Sequence, residues 1–450
     1  MILAASRIAA IGPIARLAWP TTLVMCSQIA ANTFDAFMAG KIGTAALGGF
    51  AFVFPFVILM QTLAAGGIGG GIAAAVARAT GRKSRTDAHD LAVHGLIIAM
   101  VSGLAFMVVM IGFGRPIFRV FANARGAGDA AAIDAAITYA TGFFAGAMVT
   151  WTLQALASTF RGLGDAAFPG RWMLMSSLMQ MPLGYLLTFG VAGFAGLGII
   201  GIGLAAPAAQ CFALIILTRR IRRDVGGLSL RPTGTSLRYA HFRDILRVGL
   251  MSSLISLFSS VTTLFVTAFV APYGLAALAG YGLGSRLEYF LIPLTFGIGS
   301  ALTVLVGQAI GRGDLAQARR IALTGATVAF LLCGAVGGLA YLTPETWANL
   351  FTSDPAVRDA TVAYLRHLGP SYAFFGLGLS LSFALQGAAQ VGIPVCAAIL
   401  RPVIIAIAVL AGFTQTLSGL YAVAAAAIVA YGVINFAGFL LRPLPAPKPL

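Results

Sequence analysis

This sequence has little charge for its length. Aspartate, glutamate, lysine and arginine make up only 9% of its 450 residues, against about 25% in an ordinary soluble domain. Hydrophobic residues make up 59% and the mean hydropathy is +0.94, with apolar stretches of about twenty residues recurring along the chain. This composition excludes a soluble globular protein, and we expect an all-α polytopic membrane protein.

Histidine and cysteine are also scarce, with four residues of each. The cysteines lie far apart in separate apolar segments, so their spacing predicts neither a disulfide framework nor a metal site. They are Cys26, Cys211, Cys333 and Cys396. Because the membrane segments carry no cluster of histidine with acidic or nucleophilic residues, we expect a protein that is not an enzyme and that needs no cofactor.

The basic residues give a net charge of +16. In a soluble protein such a charge suggests a nucleic-acid partner, but here the basic residues cluster in every second loop, most densely in 218–244. This is the positive-inside pattern of a membrane protein. We therefore expect a multi-pass protein of the bacterial cytoplasmic (inner) membrane, with both termini in the cytoplasm and no nucleic-acid partner.

Twelve apolar segments predict twelve spanning helices, of which the first is too long for a cleaved signal segment. They cover residues 14–39, 46–77, 91–113, 131–160, 168–190, 195–217, 245–271, 280–309, 321–342, 357–386, 393–413 and 418–441.

The two halves of the chain repeat one another. Residues 14–49 align without a gap to 245–280, an offset of 231 (245 − 14), and "GGIGGGIAAAVARATGR" (66–82) resembles "FGIGSALTVLVGQAIGR" (296–312). Six helices in each half make a parallel repeat, in which both copies enter the membrane in the same direction. The sequence predicts an N-terminal six-helix lobe (1–217), a basic cytoplasmic linker (218–244) and a C-terminal six-helix lobe (245–450).

Asp35 lies inside the first apolar segment, whereas its counterpart in the second half is Val266. A carboxylate at a helix centre costs about 2.5–3.5 kcal/mol to insert, so such a residue is a candidate for function. Gln28, Asn32 and Asp35 are spaced by four and three residues and share one helix face. We interpret this polar stripe as facing the lobe interior, with Asp35 as the ion-coupling residue.

Other polar residues are candidates for the same cavity, namely Gln61, Tyr139, Gln154 and Gln180. Glu288, in "SRLEYF", is a possible second acid that contacts a cation or substrate, or else an ion-pair partner near the outer end of helix 8. Pro20 is either a hinge or a passive kink in helix 1.

Several motifs resemble those of the multidrug and toxic compound extrusion (MATE) transporters. They are "FDAFMAGKIGTAALGGF" (34–50), the glycine-rich helix 2 that ends in "ARATGR", "FRGLGDAAFP" (160–169), "LVGQAIGRGDLAQARR" (305–320) and "LFTSDPAVRDATVAYL" (350–365). The resemblance implies two lobes in a V, alternating access, and export of organic, often cationic or amphipathic compounds driven by inward flow of H⁺ or Na⁺.

The chain departs from the family pattern at two places. Gln180 and Gly184 stand where the resemblance implies an Asn and an Asp on helix 5, and helix 7 ("LFSSVTTLF", 257–265) lacks the Glu of the NorM-like branch. The pattern is closer to the DinF-like branch. Since Na⁺ needs several oxygen ligands, we favour H⁺ as the coupling ion over Na⁺.

Burial favours the neutral form of a carboxyl group, so we expect Asp35 to take up a proton from the acidic outside and release it inward. The protein is then an antiporter for small drug-like molecules, in contact with membrane lipids and monomeric. The alternative is a flippase for lipid-linked precursors from a related superfamily. A flippase needs several cationic residues for phosphate, and lysine and arginine are almost absent from the predicted helix interiors.

Overall fold

The computed structural model describes residues 2–124, 130–191, 193–223 and 237–446, and these ranges are almost wholly helical. The helices of the first half are α1 (Ile2–Ile42), α2 (Thr44–Thr62), α3 (Gly69–Gly81), α4 (Arg85–Gly112), α5 (Gly114–Ala124), α6 (Ala130–Ala145), α7 (Ala147–Gly162), α8 (Ala167–Phe189) and α9 (Ile199–Arg222). Those of the second half are α10 (Tyr239–Val270), α11 (Leu275–Gly311), α12 (Leu315–Leu342), α13 (Pro344–Asn349), α14 (Pro355–Leu368), α15 (Tyr372–Gly387), α16 (Gly392–Leu410) and α17 (Leu417–Leu441).

Short irregular elements join some of these helices. A π-helical turn (Leu63–Ile68) connects α2 to α3, and 3₁₀ turns follow α10 (Ala271–Tyr273) and α14 (Gly369–Ser371). Two-residue strands β1 (Gly190–Val191) and β2 (Phe194–Ala195) pair antiparallel between α8 and α9.

Each of the twelve segments predicted to span the membrane is helical over most of its length. Within the described ranges, nine helical stretches are long and apolar enough to cross a membrane, and α6 with α7 makes a tenth, bent by 43°. The other two predicted spans, in α1 and α8, are helices of 41 and 23 residues whose apolar character is diluted by the polar residues described below. The prediction of an all-α multi-pass membrane protein is confirmed.

The bend between α6 and α7 and two short helices were not predicted. The bend falls at Gly146, which lies so close to the Pro207 ring in α9 that no Cβ fits between them. The two short helices are α5, which directly follows the long helix α4, and α13, which directly follows the long helix α12. At 11 and 6 residues they are too short to produce a spanning pattern.

The repeat is visible in the lengths and starts of the helices. α4 and α12 each have 28 residues, and their starts are 230 residues apart (315 − 85). Each begins at a side-chain cap: Ser84 Oγ accepts from the Asp87 amide and Asp314 Oδ1 from the Gln317 amide. The same kind of side-chain cap therefore begins α4 and α12, the helices that contain the third predicted spanning segment of each half.

The contacts divide the chain into two compact units. One runs from Pro20 to Gly249, and the other comprises the residues up to Trp19 together with those from Leu250 onward. Helices α1 and α10 each contribute to both units, with the division at equivalent positions of the repeat. The predicted linker, 218–244, begins in the last turn of α9 and ends in α10, and its middle (224–236) lies outside the described residues.

The first turns of α10 pack tightly within the Pro20–Gly249 unit. A Cβ on Gly71 of α3 would lie 2.7 Å from the Ile245 carbonyl oxygen and 2.9 Å from the Gly249 nitrogen. Nearby, Arg78 donates to Asp244 Oδ2 at 2.8 Å in an ion pair whose side chains are 10% and 22% exposed. Glycine permits the close backbone approach, and the ion pair fixes the two helices there.

Candidate functional site

Asp35 is buried in the Pro20–Gly249 unit, where only 3% of the residue is exposed. It lies in the last third of α1, and Gln180 of α8 donates a hydrogen bond from Nε2 to Asp35 Oδ2 at 2.8 Å. Gln180 is itself 2% exposed. The structure therefore brings together two residues that are 145 positions apart and that the sequence predicts to be neighbours.

The second carboxyl oxygen of Asp35 has no hydrogen-bond partner among the described residues, although it is buried. A buried polar atom without a partner costs about 1–3 kcal/mol, so it calls for an explanation such as a catalytic role or a bound ion. A proton or a small cation would satisfy this oxygen. Tyr139 of α6 is close enough to Asp35 to interact with it electrostatically, and its ring packs against Phe50 at 5.2 Å.

A small polar recess of about 10 Å³, room for about one water molecule, adjoins this pair and reaches from α1 across α7, α8 and α9. Its lining residues are Gln28, Thr150, Leu153, Gln154, Met173, Ser176, Ser177, Gln180 and Gln210. Gln180 joins the recess to Asp35, because it lines the recess and donates to the carboxylate.

Three of the residues predicted for the cavity, Gln28, Gln154 and Gln180, line this recess. Tyr139 is near Asp35 without lining the recess, and Asn32 and Gln61 do not line it either. The Gln61 amide nitrogen, predicted to converge on the site, is buried without a hydrogen-bond partner among the described residues.

Four polar lining residues are absent from the prediction. Thr150 donates to Gln210 Oε1 at 2.6 Å in a fully buried hydrogen bond, and Ser176 and Ser177 lie on α8 one turn before Gln180. Their helical spacing from Gln180 is a signal in the sequence, but nothing in the sequence places α7 and α9 beside α1.

Gly184, one turn after Gln180, supplies no second acid. A Cβ there would lie 2.8 Å from the methyl carbon of Met38 and 3.3 Å from Ala205 Cβ. Met38 is fully buried. Apolar packing thus occupies the place where the resemblance implies an acidic ligand, leaving Asp35 as the carboxylate of this site.

Pro20 lies inside α1, which continues through it from Ile2 to Ile42. Its ring packs against Gly170 of α8, where a Cβ would lie 2.7 Å from Pro20 Cβ. The division between the two contact units falls immediately before it. A hinge at Pro20 stays a prediction.

Glu288 belongs to the other unit, where Tyr364 of α14 donates to Glu288 Oε1 at 2.5 Å. Neighbouring Arg286 is exposed and lies over the Phe351 ring at 5.9 Å. Among the described residues no salt bridge within 4.0 Å includes Glu288, and the interpretation as an ion-pair partner stays a prediction. Its role as a second acid stays a prediction.

Arg401 is an exception to the predicted scarcity of basic residues inside helices. It lies at the midpoint of α16, nine residues from Gly392 and nine from Leu410. Its guanidinium lies over the Tyr431 ring at 5.6 Å and interacts electrostatically with Glu288. A single arginine between "AAIL" and "PVII" is a signal in the sequence, and it is absent from the residues selected above.

A repeated set of long apolar helices, with a carboxylate buried beside a polar recess, defines a multi-pass membrane protein built like a secondary transporter. The MatE family model matches residues 20–186 and 252–412, two stretches whose starts are 232 residues apart (252 − 20), and the chain belongs to this family. Its members are transporters, which confirms the prediction that the chain is not an enzyme.

Two relatives show the range of named functions. The chain is 27% identical over 401 residues to a probable multidrug resistance protein NorM of Rhodopseudomonas palustris, covering 85% of this chain and 81% of the relative. It is 23% identical over 383 residues to an FAD transporter of Shewanella oneidensis, covering 82% and 80%.

A solved MOP superfamily transporter from Pyrococcus furiosus has the same fold, with a TM-score of 0.86 and 24% sequence identity over 96% of this chain and 95% of that one. Assignment to the DinF-like branch stays a prediction.

Proposed function

We propose that this protein exports organic, drug-like compounds across the bacterial cytoplasmic membrane in exchange for protons, by alternating access with both termini in the cytoplasm. The observation that carries the proposal is the Asp35–Gln180 pair, a buried carboxylate with one free oxygen beside a polar recess. The multidrug resistance names of several relatives support export of such compounds.

Gln180 suits a proton better than a sodium ion. Gln180 can supply at most one carbonyl oxygen to a sodium ion beside Asp35, and Gly184 has no side chain to add another oxygen ligand. A primary amide carries both two N–H donors and a carbonyl acceptor. By rotating, Gln180 can donate to the ionised carboxylate and accept from the protonated one, so both states of Asp35 keep a partner.

The cycle follows from this exchange. Facing outward, Asp35 takes up a proton and loses its charge, and the protein releases its bound compound. Facing inward, Asp35 returns the proton to the cytoplasm and the protein takes up the next compound. Because protonation removes the charge on Asp35, the more acidic side of the membrane favours release of the compound.

The experiment is efflux of ethidium from proteoliposomes after a jump in external pH or in external Na⁺. We expect acidification to drive efflux by the wild type, and Asp35→Asn to lower it to the level of empty vesicles. Asp134→Asn is the matched control, because it makes the same change at a side chain that is 66% exposed and paired with Arg115. Full pH-driven efflux by Asp35→Asn would refute the proposal. Efflux that responds to the Na⁺ jump alone would show that the coupling ion is Na⁺ and not H⁺.

A lipid-linked precursor flippase remains the alternative function. A flippase needs a group of cations to hold pyrophosphate. Among the described residues of the second unit, Arg401 is the single basic residue at the midpoint of a helix, and it makes no salt bridge with a carboxylate. We therefore favour export of small compounds.

A further inference from the structure

The second unit contains a buried polar cluster that the coupling mechanism at Asp35 does not use. Five helices contribute to this tyrosine cluster, which consists of Tyr281, Glu288, Tyr364, Tyr372, Arg401 and Tyr421. The Tyr281 and Tyr421 rings pack against the Tyr364 ring at 5.5 and 5.2 Å, and the Tyr372 hydroxyl lies beside Glu288.

Arg401 lies deep in the predicted membrane. Nine residues separate it from each end of α16, which places it about 13 Å from either end at 1.5 Å per residue. A charged side chain at that depth costs about 2.5–3.5 kcal/mol on insertion scales, and such residues usually mark a path for a substrate or an ion. A lipid head group at the membrane surface does not reach this depth.

The cluster has more hydrogen-bond donors than acceptors. The Arg401 Nε–H and the Tyr421 hydroxyl are both buried without a partner among the described residues. The carboxylate of Glu288 already accepts from Tyr364 at 2.5 Å, and it makes no ion pair with Arg401 within 4.0 Å. An acceptor supplied from outside the chain would satisfy these donors.

Glu288 and Arg401 are partly exposed as whole residues, although the Arg401 Nε atom is buried, whereas Tyr364, Tyr372 and Tyr421 are at most 1% exposed. The tyrosine rings form an aromatic wall, and the Tyr431 ring holds the guanidinium in place by a cation–π contact at 5.6 Å. A flat molecule that carries an acidic group fits this combination, since a guanidinium is the preferred donor to a carboxylate or phosphate.

We propose that the tyrosine cluster binds the carboxylate or phosphate group of an exported aromatic compound, with Arg401 as its cationic partner and Glu288 as the internal anion that competes for Arg401. The assignment rests on the proposed export function, because it makes the cluster a substrate site. It adds acidic and zwitterionic molecules to the compounds expected from Asp35, a residue suited to cations.

Binding to the purified protein tests the site without any ion gradient. The probes are rhodamine B, which carries a free carboxylate, and its ethyl ester, which has the same rings without that charge. Fluorescence polarisation gives a Kd for each. We expect the wild type to bind the acid more tightly than the ester. Arg401→Gln should lower the ratio of the ester Kd to the acid Kd by about tenfold or more.

Four further variants complete the test. Arg401→Lys should restore part of the preference, and Glu288→Gln should increase it, because the competing carboxylate is gone. Arg286→Gln makes the same change at an exposed arginine of α11 and should leave the preference intact. Asp35→Asn should also leave it intact, which separates this site from the coupling mechanism. Unchanged ester binding shows that the Arg401, Glu288 and Arg286 variants are folded.

The proposal is overturned if wild-type protein shows no preference for the acid, or if Arg401→Gln and Arg286→Gln have the same acid-to-ester ratio. Loss of the preference in Asp35→Asn would move the acid site to the first unit, and that outcome also refutes the assignment.

Discussion

Substituting alanine for Gly71 tests whether α3 and α10 depend on backbone contact. A Cβ at this position would lie 2.7 Å from the Ile245 carbonyl oxygen and 3.0 Å from Gly249 Cα. These are backbone atoms of a neighbouring helix and cannot rotate away, so α10 must move as a body. Gly282 is the matched control: it lies inside α11, and a Cβ there would meet nothing within 4 Å.

Two opposing effects determine how far each substitution changes the free energy of unfolding. Replacing glycine by alanine inside a helix stabilises it by about 1 kcal/mol, and both variants share this gain. Overpacking a closely packed contact costs about 1–3 kcal/mol, and only Gly71→Ala incurs it. We therefore expect Gly282→Ala to be slightly more stable than the wild type, and Gly71→Ala to be less stable than Gly282→Ala by about 1–3 kcal/mol.

The assay is thermal unfolding of the detergent-solubilised protein, followed by tryptophan fluorescence for the wild type and both variants at one protein concentration. The midpoint should fall in the order Gly282→Ala, wild type, Gly71→Ala. A midpoint for Gly71→Ala equal to or above that of Gly282→Ala would show that the start of α10 can shift without loss of stability. The argument from close packing would then fail.

Two further predictions concern the recess and the repeat. Thr150→Val keeps the shape of the side chain but leaves Gln210 Oε1 without its buried donor, so the unfolding midpoint should fall in line with a loss of about 1–3 kcal/mol; an unchanged midpoint would show that another group satisfies Gln210. Ala389 has a left-handed backbone (φ 57°), as does Gly164 (φ 97°). The two residues hold the same position in the repeated segments "QGAAQVGIP" (386–394) and "RGLGDAAFP" (161–169). Ala389→Gly should therefore raise the midpoint and Gly164→Ala lower it, and the same direction of change in both would contradict the strain argument.

The helices and the repeat could be predicted from sequence because hydropathy and spacing are local properties. Asp35 could be selected for the same reason, since a carboxylate inside an apolar segment stands out without knowledge of its neighbours. Its pairing with Gln180 came from the resemblance, which places both residues in one site. The structure shows that the two residues are in hydrogen-bond contact.

The rest of the site depends on which helices are neighbours. Thr150 and Gln210 are ordinary residues of apolar segments until α7, α8 and α9 are placed around one recess. Arg401 carries a signal of its own, but its meaning depends on Glu288 and the tyrosines of three other helices. The roles of these three residues do not follow from helical periodicity. Periodicity predicts which face of its own helix a residue lies on, but not which other helix packs against that face.

The division of α1 and α10 between the two contact units bears on whether either half of the chain is complete by itself. The cuts fall after Trp19 and Gly249, positions that differ by 230 residues (249 − 19), close to the 231-residue offset of the sequence repeat. Each compact unit therefore includes the first turns of a helix whose remainder belongs to the other. Cutting the chain between its two sequence repeats would therefore leave each compact unit without the turns that it takes from the other half.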